Sequence, residues 1–255
     1  MPQFSTSKHF QRAQQLAFCY LCCEQIETGQ AQNRDHVPPR AVFLESDRNP
    51  ALWLPTHQAC NSKQSERDDK IGQLIGLLHK KAPSNPNHRL LLFNHELGAV
   101  DEINIEDIVF RWVRGLHAAL YQQPLGGQVR GVITTPFVPV NKTDGTPLQL
   151  NEAHFTIVQA IKRNRAAGRL DAVYSSNGKF KYQCVWGKSG DGAWCCMFAI
   201  DLYDWKDLGH SRHGPARGCC GYYFPSNGQL PQGATIETPI LVPFSNVDKL
   251  DPFGA

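Results

Sequence analysis

The chain lacks several things that would place it quickly. No stretch approaches the ~18 apolar residues that a membrane-spanning helix needs, so nothing in it reads as a membrane protein. The opening segment MPQFSTSKHFQRAQQLAF has no long apolar centre, which argues against a secretory signal and predicts a cytoplasmic protein. There is no internal repeat and no low-complexity tract, which excludes solenoids and compositional tails. Strong charge of either sign is also missing. Charged residues make up 19%, and the net charge is only +3. Residues 1–81 hold ten Lys/Arg against eight Asp/Glu, a net of +2. That charge is weak for a nucleic-acid binder, and it permits a nucleic-acid substrate without arguing for one.

The chain does have enough length and apolar content for a real core. It has 255 residues, 41% of them hydrophobic, which suits one large or two modest domains. It also has nine cysteines, six of them in the adjacent pairs Cys22-Cys23, Cys195-Cys196 and Cys219-Cys220. Without an export signal, these read as metal ligands or free thiols rather than a disulfide framework.

Periodicity divides the chain. Residues 1–18 read as a short polar helix or arm. Residues 19–64 are rich in turn formers (Gly29, Pro38, Pro39, Pro50, Pro55) and show little regular period. Ile71, Leu74, Ile75, Leu77 and Leu78 give one apolar helical face over 64–81, with Lys80 and Lys81 suited to its C-terminus. Ala82 to Asn87 breaks the pattern. A second helix over 104–121 is carried by Ile105, Ile108, Val109, Trp112, Val113, Leu116, Ala119 and Leu120, and is ended by Pro124 and Gly126-Gly127. Beyond residue 127 the composition turns to strands: Val129–Val140, then a hairpin of Phe180–Trp186 and Ala193–Tyr203 across Gly187–Gly192, with a helix over 154–168. The expected class is α+β, with a mostly antiparallel sheet in the C-terminal half. The expected domains are residues 1–82, a helical connector over 83–126, and an α+β domain over 127–255.

The chemistry concentrates near the N-terminus. Cys19-x-x-Cys22 and His57-x-x-Cys60 are separated by 34 residues. Each pair can grip a metal from one turn, and two such turns complete a closed tetrahedral site of the structural zinc type. Such a site would hold together a segment too short and turn-rich to bury its own core. Cys23 competes with Cys22 for the second position, and buried thiols remain the alternative. A thioredoxin-like redox pair lacks its strand–CxxC–helix context.

Between the knuckles lies Asp35-His36, and directly after Cys60 comes Asn61. Phosphodiester hydrolysis needs an activated water, neutralised charge on the phosphate and help for the leaving oxygen. A neutral imidazole supplies the first and a divalent cation the other two. Asp35 and Asn61 are oxygen ligands suited to Mg²⁺ or Mn²⁺. In an extended strand Asp35 and His36 point to opposite sides, whereas at a distorted strand end both could still flank the same phosphate.

The order CxxC, Asp35-His36-x-Pro38, Asn49, Leu54, HxxC-Asn61-x-Lys63 resembles the HNH endonuclease family, the ββα-metal nucleases. The resemblance covers roughly residues 17–70, and His57 stands where the family usually has a third knuckle cysteine. It implies His36 as general base, Asp35 and Asn61 as ligands of a catalytic Mg²⁺ or Mn²⁺, and Asn49 as the middle asparagine that orients the loop. Arg40 and Lys63, by their proximity, are expected phosphate contacts. The implied activity is hydrolysis of DNA phosphodiesters in restriction or phage defence, with RNA also open as a substrate. The C-terminal domain is expected to choose substrate or partner, through homodimer contacts or a regulatory ligand. Two other readings stay open: a zinc-stabilised nucleic-acid-binding module, and a nuclease silent until its C-terminal domain is engaged.

Weaker signals lie downstream. His210-x-x-His213 with Cys219-Cys220 offers a second zinc site against a plain loop with core thiols. Gly187-Lys188-Ser189-Gly190 lacks the earlier glycine and following helix of a phosphate loop. Trp186, Trp194, Tyr203, Trp205, Tyr222 and Tyr223 could stack on bases, but placement in apolar strands points to sheet core or hairpin pairing for most of them.

Overall fold

The computed structural model describes residues 3–49, 51–78, 93–94, 99–100, 103–135, 152–203 and 218–242. His210, His213, Trp205, Lys80, Lys81 and the 82–87 break lie outside these. The chain forms two compact units. One comprises Phe4–Leu125 with Ser175–Gly178; the other comprises Met1–Gln3, Gly126–Tyr174 and Lys179–Ala255. Both helices and antiparallel sheets are present. No helix among the described residues is long and apolar enough to cross a membrane.

The first unit opens with helix α1 (Ser7–Ala13), started by Thr6, whose side chain accepts the His9 backbone N–H. A tight loop follows. Phe18 bridges Gln25, the Cys19 N–H donates to Glu24 O at 2.8 Å, and the Cys23 N–H donates to Cys19 O at 2.7 Å. Cys23 takes a left-handed φ of 67°, the price of turning so sharply without a glycine.

Strands β1 (Gln32–His36) and β2 (Trp53–His57) pair antiparallel, with Gln32 opposite His57, Asp35 opposite Leu54 and His36 opposite Trp53. Two 3-10 turns, Arg40–Val42 and Glu45–Asp47, fill the connection. Helix α2 (Gln58–Ser62) leaves β2 at once, and α3 (Ser65–Leu78) follows. Three two-residue strands, Phe93–Asn94, Ala99–Val100 and Ile103–Asn104, form a small antiparallel meander that leads into α4 (Ile105–Tyr121).

Helix α4 was expected within a connector, but it belongs to the same unit as the cysteine and histidine motifs. Ile108, Val109, Trp112, Val113, Leu116, Ala119 and Leu120 are buried, the stripe that the 3.6-residue period marks out. The turn-rich N-terminal segment thus has a helix to bury against.

Two glycines show how close that packing is. A Cβ on Gly115 of α4 would lie 2.9 Å from Val37 Cγ2 and 3.1 Å from Tyr20 Cε2. A Cβ on Gly72 of α3 would meet Ala41 at 2.6 Å and its carbonyl oxygen at 2.9 Å. The stretch just after His36 is therefore clasped between two helices that approach it through glycine.

In the second unit, strands β3 (Gly127–Thr135), β4 (Asp171–Ser175), β5 (Phe180–Ser189), β6 (Trp194–Leu202), β7 (Gly218–Pro225) and β8 (Ile236–Val242) form one sheet. The order is β4-β5-β6-β7-β3, with β8 parallel to β5. The expected hairpin is β5–β6, antiparallel across Ser189–Ala193. Helix α5 (Glu152–Ala166) lays Ile157, Ala160 and Ile161 on Val185, Cys195, Met197, Tyr222 and Phe224. Trp186, Tyr222 and Tyr223 are fully buried and serve as sheet core. Cys219 and Cys220 are free thiols in β7.

Gly115→Val forces a branched side chain into the α4–Val37–Tyr20 contact. It is expected to lower stability by about 1–3 kcal/mol, read as a reduced midpoint in urea unfolding.

Candidate functional site

The four predicted soft ligands converge. The donor atoms of Cys19, Cys22, His57 and Cys60 all lie within 4.8 Å of one another. Cys19 and Cys22 come from the tight loop, His57 from the end of β2, and Cys60 from the first turn of α2. Tetrahedral Zn–S bonds of about 2.3 Å place sulfurs about 3.8 Å apart, so the cluster needs only a small contraction to close on such an ion.

The histidine is set up for this role. Its Nδ1 faces Cys22 Sγ at 3.3 Å. Its Nε2 lies 3.2 Å from Gln25 O and 3.0 Å from Gln30 Oε1. The Gln30 amide is oriented by the Glu27 N–H, which donates to the same Oε1 at 2.9 Å. Both neighbours of Nε2 are acceptors, so Nε2 carries the proton and Nδ1 offers its lone pair to the cluster. This is the outer-shell arrangement that orients metal-bound histidines. The thiols, by contrast, oppose one another. Burial, then Cys19 and Cys22, push the Cys60 thiol up to about 11, and burial chiefly raises Cys22. A bound divalent cation reverses that penalty by taking the thiols as thiolates. Cys23 is not in the cluster. Its left-handed backbone turns it away, and its sulfur accepts from Arg114 Nη2 at 2.9 Å.

The hairpin sorts the remaining candidates by face. Asp35, Leu54 and Thr56 point inward and are buried; Arg34, His36 and Trp53 lie on the other, more open face. Asp35 and His36 therefore diverge. The Asp35 carboxylate accepts from Arg111 Nη2 at 2.7 and 2.9 Å and from the Tyr20 hydroxyl at 2.5 Å. Arg111 also pairs with Asp68 on α3. Burial raises the Asp68 pKa against the pull of Arg111. Burial works against the Arg111 charge too, but Tyr20, Asp68 and Asp35 outweigh it and raise its pKa. The Tyr20 phenol is held protonated by burial and then by the Asp35 charge.

His36 ends β1, half-buried. Burial, then the Arg40 charge, lower its pKa below 6.5, with Arg34 adding to the effect and Asp35 opposing it. The ring is thus neutral at pH 7. Asn61 on α2 donates Nδ2 to Arg34 O at 3.4 Å, which ties α2 to β1 and leaves the amide oxygen as its acceptor. Arg40 opens the first 3-10 turn and Lys63 closes α2; both are exposed. Asn49 is exposed in the loop before β2, where Asp47 is the buried polar residue.

No protein-family model matches this sequence, and no curated protein or solved structure is significantly similar to it. The site rests on its own geometry.

Sequence reading missed Tyr20, Asp68 and Arg111. Only Arg111 left a sequence signal: a cation inside the apolar stripe of α4, where an unpaired charge would be expensive. Arg111→Met strands two carboxylates in a buried space. It is expected to cost about 3–5 kcal/mol, seen as a large drop in thermal midpoint at neutral pH, while Lys70→Met, which removes the α3 ion pair with Glu66, costs under about 1 kcal/mol.

Proposed function

We propose that the first unit is a zinc-stapled nuclease of the HNH type, cutting nucleic-acid phosphodiesters, DNA foremost, with His36 as general base. The observation that carries this reading is the closed Cys19–Cys22–His57–Cys60 cluster. It joins both ends of a strand–strand–helix segment whose first strand ends in a neutral histidine. Cys₃His is a donor set of the structural zinc class, with no open position for chemistry. The zinc therefore fixes the end of β2 and the turn that carries Asn61, whose amide donates to Arg34 O two residues before His36, and reaction belongs outside the zinc, on the flank of the hairpin where His36 stands.

There His36 takes a proton from an attacking water, and the nearby Arg40 charge attracts the phosphate while keeping the base unprotonated. Lys63 adds a second exposed cation from α2. A Mg²⁺ or Mn²⁺ ion, when bound, supplies charge neutralisation at the phosphate and the leaving oxygen. The Asn61 amide oxygen suits such an ion. Asp35 reaches it only by giving up Arg111 and Tyr20, so in this fold its first role is to anchor β1. That engagement of Asp35 favours the second reading, a zinc-stabilised module that binds nucleic acid without cutting it. The second unit is assigned to choice of substrate or partner.

Plasmid nicking with Mg²⁺ or Mn²⁺ separates the two readings. The nuclease reading expects His36→Ala to lower the rate by 10²-fold or more, roughly the value of a general base, with binding retained. It also expects the wild-type rate to rise with pH through a midpoint below 6.5 and to level off above 7, because the base works deprotonated and its pKa is depressed. Equal inertness of wild type and His36→Ala, with both still binding, establishes the binding module instead.

Metal analysis is expected to find about one zinc per chain. Cys60→Ser should lose it together with the cooperative unfolding of residues 4–125, because binding and folding are coupled in a closed site. Folding unchanged in the variant and in chelator removes the staple.

A further inference from the structure

The His36 face of the hairpin carries a second feature. Arg34 and His36 alternate onto one face of β1, and Trp53 stands directly opposite His36 on β2. The Arg34 guanidinium lies over the Trp53 ring, its Cζ 4.7 Å from the ring centroid, within the range of a cation–π contact. Arg34 itself is exposed and Trp53 half-buried, so the pair stands at the surface and is not part of the core.

The stacking matters for what Arg34 can bind. An exposed arginine normally spends rotamer freedom to hold a ligand. One held over an indole has already given up part of it, and a guanidinium carries its N–H donors in a planar fork that matches phosphate oxygens. Arg40 and Arg34 both lie near enough to His36 for their charges to act on the imidazole. The acidic residue next in sequence, Asp35, is turned inward and neutralised by Arg111. The surroundings of His36 thus carry two cations even though the unit is nearly neutral, which fits an anionic ligand held at Arg34 beside His36.

Building on the nuclease reading, we infer that the Arg34–Trp53 stack is a phosphodiester-binding subsite that seats a backbone phosphate next to the scissile one. Trp53 is a positioning residue, acting through Arg34. The ligand is the nucleic-acid backbone rather than a base, because the exposed donor is a guanidinium and the indole ring that could stack on a base already has Arg34 over it. Binding there is sequence-independent.

The test uses the full chain carrying His36→Ala, so that binding is measured without cutting, on oligonucleotides of several sequences over a range of salt. Arg34→Gln is expected to weaken affinity about equally on every sequence and to flatten the slope of log K against log salt by about 0.7–0.9, one phosphate contact. Arg34→Lys should keep that slope but lose several-fold in affinity, because a lysine keeps the charge without the stacked fork. Trp53→Leu should resemble Arg34→Lys, and Trp53→Phe should be milder. In the cutting enzyme, Arg34→Gln should raise KM with little change in kcat, and zinc content of the variants should stay that of the parent. Unchanged affinity and salt slope in Arg34→Gln overturn the subsite while leaving the nuclease reading intact. Effects confined to one sequence also overturn it, in favour of base reading. Failure of the His36→Ala chain to bind any oligonucleotide overturns the nuclease reading and the subsite with it.

Discussion

A buried guanidinium holds the first unit together. Arg111 projects from α4 and closes on Asp35 of β1 and Asp68 of α3, while Tyr20 of the cysteine loop donates to the same Asp35. Four chain segments thus meet at one charge cluster. A buried ion pair contributes little net stability relative to apolar packing, yet it is very costly to break. Such a cluster therefore acts through specificity: the hairpin can sit against the helices in one register and at one depth. The glycine contacts at Gly72 and Gly115 then become possible, because the segment between them is already placed.

The metal-ligand cluster does a different job. It closes the ends of the hairpin that the ion cluster does not reach. Cys19 and Cys22 lie upstream of β1, and His57 and Cys60 lie at the end of β2 and the start of α2. With the proposed zinc bound, the soft donors would tie the perimeter while the guanidinium pins the centre. Between them a segment full of prolines and turns would need no large core of its own.

The cysteine and histidine spacings alone identified the four donors, because two short knuckles at a distance have few other uses. The amphipathic stripe of α4 and the β5–β6 hairpin were also legible, since each is long and strongly periodic. Partnership was not legible. Helix α4 looked like a connector because its period says that it buries one face but not against what. Tyr20 hid as a spacer inside CxxC, and Asp68 in a run of surface charge. The role of Asp35 could not be read from its neighbour His36. The pairing with Arg111 spans 76 residues, far beyond what local pattern can report. The placement of Asn49 was likewise out of reach, since loop geometry depends on the 3-10 turns around it.

The hairpin places Asp35 inward and His36 outward, and this has a consequence for how the segment could change. Neighbouring side chains on a strand alternate, so the choice between acid and imidazole at the surface is a matter of parity. One inserted or deleted residue in β1 would exchange them. An acid would then meet solvent, and a histidine would meet Arg111, cation against cation once protonated. The surface chemistry of this unit is therefore protected by frame as much as by residue identity. A length change in the strand is more damaging than most substitutions within it.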